Sequence, residues 1–459
     1  MRAGWVRRCA MGGALALAGL AAAPMAAAPT VFPTGTTIYQ PDKTWNGFTV
    51  LSPLGTSAVI VVDMNGRVVK RWEGFDLVSG GPARVLPGGV VIAPQGDAMP
   101  QHLEARALVA EDFAGKELWR YDHGEELDHG GKPEWSGRQH HDWQMANFPS
   151  GAYSPQFTPA LGSAAMLLLT HSHHAEPAIA DVGLDDDKLV ELDPKGKPTW
   201  EWRVGDHIDE FHFTPAVRAA IRRSGKRESY DWFHMNSAAY LGPNKWFAAG
   251  DKRFDPRNVV ISSRQASVIA IIARDGKIVW QLGPDSSLSH EAAALGQIIG
   301  QHHVTMIPEG LPGAGNLLLF DNGGAAGYGD PSPISPNGDS IYQRATSRVL
   351  EIDPVTLKLV WSYAAPNFYS FNISGAQRLP NGNTLITEGT TGRVFEVTPK
   401  NDVVWEYVAP PGEGARASNA LYRAYRIPYW WLPQVAKPAE VPIVRPDPAH
   451  FHVPGTPAG

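Results

Sequence analysis

The residues that could do chemistry in this sequence are histidines at matching places in repeated segments. Each segment reads as a strand that ends in a Leu or Ile before a turn proline, and the matching position lies five residues before that Leu or Ile. The residues at this position are His302, Ser374, Gly81 and, after a two-residue slip, His141. His234 begins an equivalent strand, HMNSAAYL. Imidazole serves as a nucleophile, as a general acid or base near neutral pH, or as a metal ligand.

Two further polar residues stand close to His234 in the sequence. Arg264 interrupts the β-branched segment VVISSRQASVIAII, where a charge is costly unless it is paired or binds an anion. Its planar guanidinium suits sulfate, phosphate or carboxylate, and a structural ion pair is the alternative. Asn236 lies two residues after His234, so along a strand both side chains point to one face and could contact the same ligand.

An internal repeat of hairpins has to position these residues. Six segments share alternating β-branched residues, a short polar turn and a strand that ends near Trp, which indicates a hairpin. They are residues 59–72, 108–119, 189–200, 268–280, 349–361 and 394–405. A second kind of hairpin, with a Pro-Gly or Asn-Gly turn, lies between them. We assign it to residues 83–94, 141–153, 234–250, 302–320 and 376–389.

Two hairpins per unit make a four-stranded blade, and about six units predict an all-β fold, a six-bladed β-propeller over residues 29–430. A sandwich or separate β domains are the alternative. Segments 207–232 and 286–299 are richer in helix formers, and we expect them to be short helical insertions on blade loops. Residues 431–459 are expected to form a C-terminal extension that wraps the outside or frays.

The propeller fold predicts where the histidines meet. The innermost strands of a propeller line its central channel, so equivalent positions face one another across it. His141, His234 and His302 are therefore predicted to converge, although 93 and 68 residues separate them along the chain.

Composition narrows the class of protein further. With 47 Gly and 39 Pro in 459 residues, the chain is neither a coiled coil nor a helical solenoid. Residues 1–28 have the features of a secretory signal, because Arg2, Arg7 and Arg8 precede an apolar run and small-residue cleavage sites. Cleavage would remove the only cysteine, Cys9, and with it any disulfide or thiol chemistry. We therefore expect a periplasmic or secreted protein.

Charge and hydropathy exclude two kinds of partner. The net charge of −6, without a run of Lys and Arg, argues against binding to nucleic acid. After the signal no stretch of 18 consecutive apolar residues follows, so we expect no insertion into a membrane.

Several segments resemble the core of the bacterial arylsulfate sulfotransferases. They are HHDWQMANFPSG, HMNSAAYL with VVISSRQASVIAI, DDKLVELDPKGKPTWEWRVGDH, GQHHVTMIPEG with NLLLFDNG, and RLPNGNTLITEGTTGRVFEVTP with VVWEYVAP. The H-x-N-S, S-S-R and F-D-N-G pieces are the more specific ones, and the resemblance extends over roughly residues 35–430. The fold of that family is a six-bladed propeller, in agreement with the number of repeats.

The resemblance implies sulfuryl transfer from an aryl sulfate to a phenol, without PAPS and without a cofactor or metal. It implies a ping-pong reaction through a sulfated histidine. The nucleophile of the family falls on His302 and its general acid and base on His234. Asn236, Arg264 and His141 fall on the groups that hold the sulfuryl oxygens.

Two neighbouring histidine pairs leave a choice of residue. His303 follows His302 and His140 precedes His141, and the strand register favours His302 and His141 as the acting residues. His303, His140 and Ser374 are then further candidates for substrate binding. Some family members carry an additional N-terminal β domain that contributes to dimerisation. We expect that domain to be absent here, which leaves a homodimer open.

Two other functions stay open at this point. A metal-dependent propeller hydrolase or lyase would use His141, His234 and His302 as metal ligands and would lose activity with a chelator. A binding propeller without catalysis would function without His302. The THSHH segment, residues 170–174, could bind a metal, although a loop without one is favoured. A quinone-dependent propeller dehydrogenase normally has eight blades, so six repeats count against it.

Overall fold

The computed structural model describes residues 34–77, 81–96, 104–128, 131–412 and 418–444. The expected signal, residues 1–28, and the end of the C-terminal extension, residues 445–459, lie outside the described residues. Export of the protein therefore stays a prediction. None of the described helices combines the length and apolar content needed to cross a membrane.

Alternation of β-branched and polar residues between tight turns folds this chain into strands with few helices. In chain order the strands are β1 (Gly35–Tyr39), β2 (Phe48–Pro53), β3 (Ala58–Val62), β4 (Val68–Glu73), β5 (Arg84–Leu86), β6 (Val90–Gln95), β7 (Ala107–Glu111), β8 (Glu117–Tyr121), β9 (Glu125–Asp128), β10 (Pro133–Ser136), β11 (Gln139–Met145), β12 (Met166–Ala175), β13 (Gly183–Leu192), β14 (Pro198–Arg203), β15 (Met235–Tyr240), β16 (Val259–Ser263), β17 (Val268–Ile272), β18 (Ile278–Leu282), β19 (His302–Met306), β20 (Leu317–Asp321), β21 (Ala326–Tyr328), β22 (Asp339–Tyr342), β23 (Arg348–Ile352), β24 (Leu359–Tyr363), β25 (Gly375–Arg378), β26 (Thr384–Glu388), β27 (Arg393–Val397), β28 (Val403–Val408) and β29 (Leu421–Ile427). The α-helices of the described residues are α1 (Pro215–Ser224), α2 (Lys245–Ala248) and α3 (His290–Leu295).

Six antiparallel sheets form the blades of a propeller. From the innermost strand outward they are blade 1 (β29-β2-β3-β4), blade 2 (β5-β6-β7-β8), blade 3 (β11-β12-β13-β14), blade 4 (β15-β16-β17-β18), blade 5 (β19-β20-β23-β24) and blade 6 (β25-β26-β27-β28). The first strands of neighbouring blades contact one another, for example β11 with β15 and β15 with β19. The predicted all-β, six-bladed fold is therefore confirmed.

The two kinds of hairpin differ in how well the sequence predicts them. All six Trp-ended segments form the two outer strands of their blades, as expected. Of the second kind, residues 83–94, 302–320 and 376–389 form the two inner strands of blades 2, 5 and 6. Residues 141–153 and 234–250 supply only the first inner strand of blades 3 and 4, so the second strand predicted within each was wrong.

The reason for this difference in blade 4 is a helix cap. Asn244 Oδ1 accepts hydrogen bonds from the backbone N–H groups of Trp246 and Phe247 at 3.1 and 3.0 Å. This cap starts α2 where the hairpin prediction placed a strand. The blade is completed later by β16, which pairs with β15.

The predicted helical insertions are confirmed, with α1 inside residues 207–232 and α3 inside residues 286–299. Thr214 caps α1, because its hydroxyl accepts a hydrogen bond from the Val217 N–H at 3.3 Å. The buried face of α1 packs in one apolar cluster with Trp232 and Phe233. This packing anchors the segment that leads directly into His234.

Both ends of the described chain help to close the ring. The last strand, β29, is the innermost strand of blade 1 and pairs with β2. The first strand, β1, adds a fifth strand to the outer edge of blade 6 by pairing with β28. Beyond the blades, Tyr39 and Ile443 exchange two backbone hydrogen bonds of 2.8 and 2.9 Å, so part of the C-terminal extension runs along this same edge.

Indole N–H groups connect successive blades at their outer edges. In each of five cases a Trp of the fourth strand donates to a carbonyl in the outer turn of the next blade. The pairs are Trp72 to Asp112, Trp202 to Gly276, Trp280 to Pro354, Trp361 to Pro399 and Trp405 to Met64. Four of these donors are repeat Trp residues of the sequence, whereas in blade 3 the donor is Trp202, two residues after the repeat Trp200.

We predict that Trp405→Phe lowers the thermal unfolding midpoint and the free energy of unfolding by about 1–3 kcal/mol. The indole of Trp405 is fully buried and its N–H lies 2.8 Å from the Met64 carbonyl, so the variant leaves a cavity and removes the shorter of the two hydrogen bonds to that carbonyl; the other comes from the Thr36 hydroxyl at 3.2 Å. Trp430, whose side chain is 54% exposed, is the matched control. Equal midpoints for Trp405→Phe and Trp430→Phe, measured by calorimetry, would show that the indole bond does not hold the ring.

Candidate active site

The innermost strands of blades 3, 4 and 5 begin with histidines that lie together. His141 in β11 and His234, just before β15, pack edge to face with ring centroids 4.8 Å apart. His302 begins β19, and it lies close enough to His234 and Arg264 for their charges to lower its pKa. The structure therefore brings together the four residues that the sequence proposed as catalytic.

A β-bulge at the start of these strands sets the directions of the side chains. His141, His234 and His303 have φ of 55°, 53° and 52°, a left-handed conformation that is uncommon outside glycine. Ser374 and Gly81 share the positive φ in blades 6 and 2, and the strand pairing shifts at this point in blades 3, 4 and 5. In blade 5 the residue with the positive φ is His303. It follows directly after His302, which the sequence alignment had placed at this position.

The side chains distinguish His302 from His303 more clearly than the backbone does. His303 accepts a hydrogen bond at Nδ1 from the Ala376 N–H at 3.2 Å, and its Nε2 lies 3.3 Å from the Tyr425 hydroxyl. These contacts join blades 5, 6 and 1. His302 instead contacts the cluster that includes Arg264. His303 is therefore placed for packing between blades.

Hydrogen bonds fix the tautomer of His302. Its Nδ1 lies 2.8 Å from Asn322 Oδ1 and 3.0 Å from the Gly300 carbonyl, which both act as acceptors. The Asn322 amide is itself oriented, because its Nδ2 donates to the carbonyls of Ser370 and Ile373. The proton of His302 is thus on Nδ1, and Nε2 carries a lone pair whose one hydrogen bond comes from the Ile373 N–H at 3.2 Å.

The surroundings of His302 also keep it uncharged. Burial, followed by the charge of Arg264, holds the pKa of His302 well below its usual value, although the hydrogen bond to Asn322 opposes the shift. At neutral pH the ring is the neutral imidazole, which is the form that can act as a nucleophile.

His234 forms a histidine–carboxylate pair at the more open side of the cluster. Its Nδ1 is hydrogen-bonded to the Asp231 carboxylate, which also accepts the His234 backbone N–H at 3.0 Å. Burial raises the pKa of Asp231, but the neighbouring His234 outweighs it and the net pKa is lowered. A carboxylate that holds Nδ1–H leaves Nε2 as the atom that can exchange a proton with a substrate.

Arg264 is a cation without an anionic partner. Its guanidinium donates to Gln265 Oε1 at 3.0 Å and to the Ala325 carbonyl at 3.2 Å, and it forms no salt bridge with any described residue. Burial lowers the pKa of this guanidinium. A half-buried guanidinium without a salt bridge, next to His302, is suited to bind an anion, as the sequence suggested.

Two of the predicted binding residues are held by contacts within the protein. Asn236 was expected to donate to the same ligand as His234, but its Nδ2 donates to the Gln301 carbonyl at 2.7 Å. The Ser374 hydroxyl donates to Ser370 Oγ at 2.8 Å and accepts from the Gly389 N–H at 3.0 Å. Asn236 therefore braces the strand of His302 against blade 4.

His140 precedes His141 on β11, and its side chain packs against the neighbouring strand of blade 3, β12. The Nδ1 atoms of the two histidines are 2.8 Å apart, and the ring of His140 stacks on His171 with centroids 3.7 Å apart. His171 belongs to β12, so the expectation that the THSHH segment is a loop was wrong. Strand β12 continues through this segment and pairs with β13, and the side chains of Thr170 and His171 are buried there.

A buried ionic network underlies the histidines and was not predicted. Asp142 pairs with Arg84 at 2.7 Å and with Arg423 at 3.0 Å, and Arg423 also donates to the Asn236 carbonyl at 2.6 Å. These residues belong to blades 3, 2, 1 and 4. The charge of Arg423 contributes to the lowered pKa of His302.

The missed residues carried signals of different strength. Arg84 and Arg423 each interrupt an apolar segment, which is the signal that singled out Arg264. Arg264 itself lies in the turn between β16 and β17 and not within a strand as the sequence had suggested. Asn322 lies in the FDNG motif, and Asp231 precedes His234 by three residues. Neither spacing alone shows that the side chains meet.

The fold is a six-bladed propeller whose centre carries a cluster of histidines beside a guanidinium without a salt bridge. A family model, Arylsulfotransferase (ASST), matches residues 162–409, which is more than half of the chain. The chain therefore belongs to the arylsulfotransferase family and is a PAPS-independent sulfotransferase. Membership implies an aryl sulfate as sulfuryl donor and a phenol as acceptor.

Comparison with other proteins gives distant matches. No curated protein matches the chain. A protein of unknown function from Bacteroides caccae aligns with a TM-score of 0.43 and 10% identity, over 83% of this chain and 99% of that one. Virginiamycin B lyase from Staphylococcus aureus aligns with a TM-score of 0.36 and 10% identity, over 81% of this chain and 84% of that one.

We predict that His303→Gln weakens the pH dependence of stability. Burial, followed by the charge of Arg423, holds the pKa of His303 well below its usual value. Below about pH 6.5 the histidine takes up a proton in the unfolded protein but not in the folded protein. The free energy of unfolding therefore decreases as the pH falls below this value. When the free energy of unfolding is measured in urea between pH 5 and pH 7 and plotted against pH, the slope for the variant should be smaller by up to about 1.4 kcal/mol per pH unit.

The exposed His212 provides the matched control for this experiment, since it forms none of the hydrogen bonds found in the described residues. His212→Gln should keep the slope of the parent protein. An unchanged slope in His303→Gln would mean that the buried histidine is protonated in the folded protein.

Proposed function

We propose that the protein transfers a sulfuryl group from an aryl sulfate to a phenol through a covalent intermediate on His302. The observation that carries this proposal is the pairing of a neutral, buried His302, whose lone pair is on Nε2, with the unpaired guanidinium of Arg264. A nucleophile and an anion-binding cation are the two elements that sulfuryl transfer requires.

In the first step, Nε2 of His302 gives up its hydrogen bond from the Ile373 N–H and attacks the sulfur, while the bond between sulfur and the aryl oxygen breaks. The departing phenolate takes a proton from Nε2 of His234, which Asp231 orients through Nδ1. Arg264 neutralises charge on the sulfuryl oxygens. His302 becomes a sulfated ring that keeps its proton on Nδ1, and its positive charge is stabilised by the Asn322 and Gly300 oxygens.

The second step reverses the roles. His234, now neutral, removes the proton of the acceptor phenol as its oxygen attacks the sulfur. The bond between sulfur and Nε2 breaks, and the electron pair returns to His302. The cycle needs no net proton exchange with solvent, because the proton that His234 gives to one phenolate is recovered from the next phenol.

The competing metal-dependent function receives less support from the geometry. It requires ligand atoms of His141, His234 and His302 to converge on one point. Among the described residues, the group whose potential ligand atoms converge consists of different residues, His140, His171 and Asp187.

We predict that His302→Ala abolishes transfer from 4-nitrophenyl sulfate to phenol, with at least a 1000-fold loss of kcat, about 4 kcal/mol in activation free energy. His212→Ala, at an exposed site, should keep full activity. With donor alone, the parent protein should gain about 80 Da on the peptide that contains His302, because the sulfuryl group stays on the ring. Modification of another residue, or nitrophenolate release by His302→Ala at the parent rate, would refute the mechanism.

We predict that His234→Gln makes the first step depend more steeply on the leaving group. Nitrophenolate leaves without a proton, whereas the more basic phenolate of phenyl sulfate needs one from His234. In single-turnover reactions without acceptor, the variant should lose at least tenfold more rate with phenyl sulfate than with 4-nitrophenyl sulfate. Asp231→Asn should change both rates in the same direction by a smaller factor. Equal losses for the two donors would assign His234 to positioning instead.

A further inference from the structure

A cluster of three potential metal ligands lies in blade 3, next to the proposed active site. His140, His171 and Asp187 sit on β11, β12 and β13, three adjacent strands, and none is more than 2% exposed. His171 and Asp187 are directly paired across β12 and β13, so their side chains leave the same face of the sheet.

The atoms that face one another in this cluster lack hydrogen bonds. His140 Nε2, His171 Nε2 and Asp187 Oδ1 have no hydrogen-bond partner in the described residues. Asp187 Oδ1 lies 3.3 Å from His140 Nε2 and 3.8 Å from His171 Nε2, and all three atoms are within 4.8 Å of one another. Three buried polar atoms left without partners at one point are costly unless something binds them.

The other polar atom of each residue is held in place. His171 Nδ1 lies 3.0 Å from Glu104 Oε2, and Asp187 Oδ2 accepts the Met235 N–H at 2.7 Å. His140 Nδ1 lies 2.8 Å from His141 Nδ1. Metal-binding histidines typically carry such a hydrogen bond on the nitrogen that does not bind the metal, because it fixes the tautomer and the ring direction.

The charge balance of blade 3 also leaves room for a cation. Arg138 pairs with Glu104, Glu125 and Asp185, so one cation faces three carboxylates. Asp187 has no Arg or Lys partner among the described residues, and its close neighbours are the two histidines. Although burial opposes it, the hydrogen bond to Glu104 raises the pKa of His171 to about 9, so a protonated His171 offsets part of this acidic charge in the metal-free protein. A divalent ion that displaces the Nε2 proton of His171 supplies one positive charge more.

We propose that His140 Nε2, His171 Nε2 and Asp187 Oδ1 bind one Zn²⁺ ion. Bonds of about 2.0–2.1 Å in tetrahedral geometry place ligand atoms about 3.3 Å apart, and the observed distances of 3.3 and 3.8 Å are close to this spacing. The two rings are stacked with planes 17° apart, so at least one of them rotates about its Cβ–Cγ bond for both lone pairs to point at the ion.

Zinc at this site connects to the proposed active site through one hydrogen bond. An ion on His140 Nε2 requires the proton of that ring to be on Nδ1, which then donates to His141 Nδ1. The proton of neutral His141 is thereby on Nε2. The ion acts as a positioning device for His141 and takes no part in the bond-making steps. Zinc binding itself does not depend on the proposed sulfuryl transfer.

The test is direct titration of metal-free protein with Zn²⁺ by calorimetry, with a Co²⁺ absorption spectrum as a second measurement. We expect one equivalent to bind, and His171→Gln to weaken binding at least 100-fold. His302→Ala should bind as tightly as the parent protein, although it is expected to be inactive. This pair of variants separates failure of the zinc site from failure of the proposed catalytic mechanism.

X-ray absorption on the zinc-loaded parent protein tests the ligands without any substitution. Two imidazole nitrogens and at least one oxygen at about 2.0–2.1 Å are expected. Absence of a bound equivalent, binding unaffected in His171→Gln, or binding lost in His302→Ala would each overturn the proposal. The first result would assign the cluster to a protonated His171 that pairs with Glu104 and Asp187 without a metal.

Discussion

Closure of the ring is the constraint on which the rest of this structure depends. A blade buries its faces only against its two neighbours, so a propeller that stays open exposes two apolar faces. The chain closes the ring with β29, which enters blade 1 from the C-terminal side, and the five indole bonds repeat the connection between blades at the rim. The first strands are then forced together around the axis, where their polar side chains have only each other as partners.

The polar centre follows from this geometry. Asp142 and Arg423 come from blades that are distant in sequence, yet they form one ion pair because their strands meet at the axis. Breaking such a pair on one side leaves a buried charge, so these residues constrain each other. The same crowding removes water from His302 and makes its neutral form the stable one.

The sequence predicts local elements well because their signals are local. Each outer hairpin carries its own alternation and turn, so all six could be placed without knowledge of the ring. The second inner strands of blades 3 and 4 were predicted wrongly, because they follow insertions such as α2 that no local sequence pattern marks. Three of the four proposed catalytic residues, His141, His234 and His302, could be found because the repeat puts equivalent positions near one axis. The fourth, Arg264, could be found because a charge interrupts a β-branched segment.

What the sequence could not predict depends on strand pairing across blades or within a wide sheet. His171 and Asp187 are 16 residues apart, and only the register of β12 against β13 makes them opposite neighbours. These strands each have ten residues, longer than the other strands of the described blades, and the additional length brings buried acidic groups beside the histidines. A one-residue change in that register would point them to opposite faces.

The two sides of the histidine cluster are therefore electrostatically different, and the proposed chemical roles rest on this difference. Carboxylates of the blade 3 side and Asp231 face His140 and His234, whereas Arg264 and Arg423 face His302. The carboxylate keeps a proton on Nδ1 of His234, and the cations disfavour a proton on Nε2 of His302. In the proposed mechanism one imidazole therefore carries protons and the other offers an electron pair, a division that identical side chains achieve only through their surroundings.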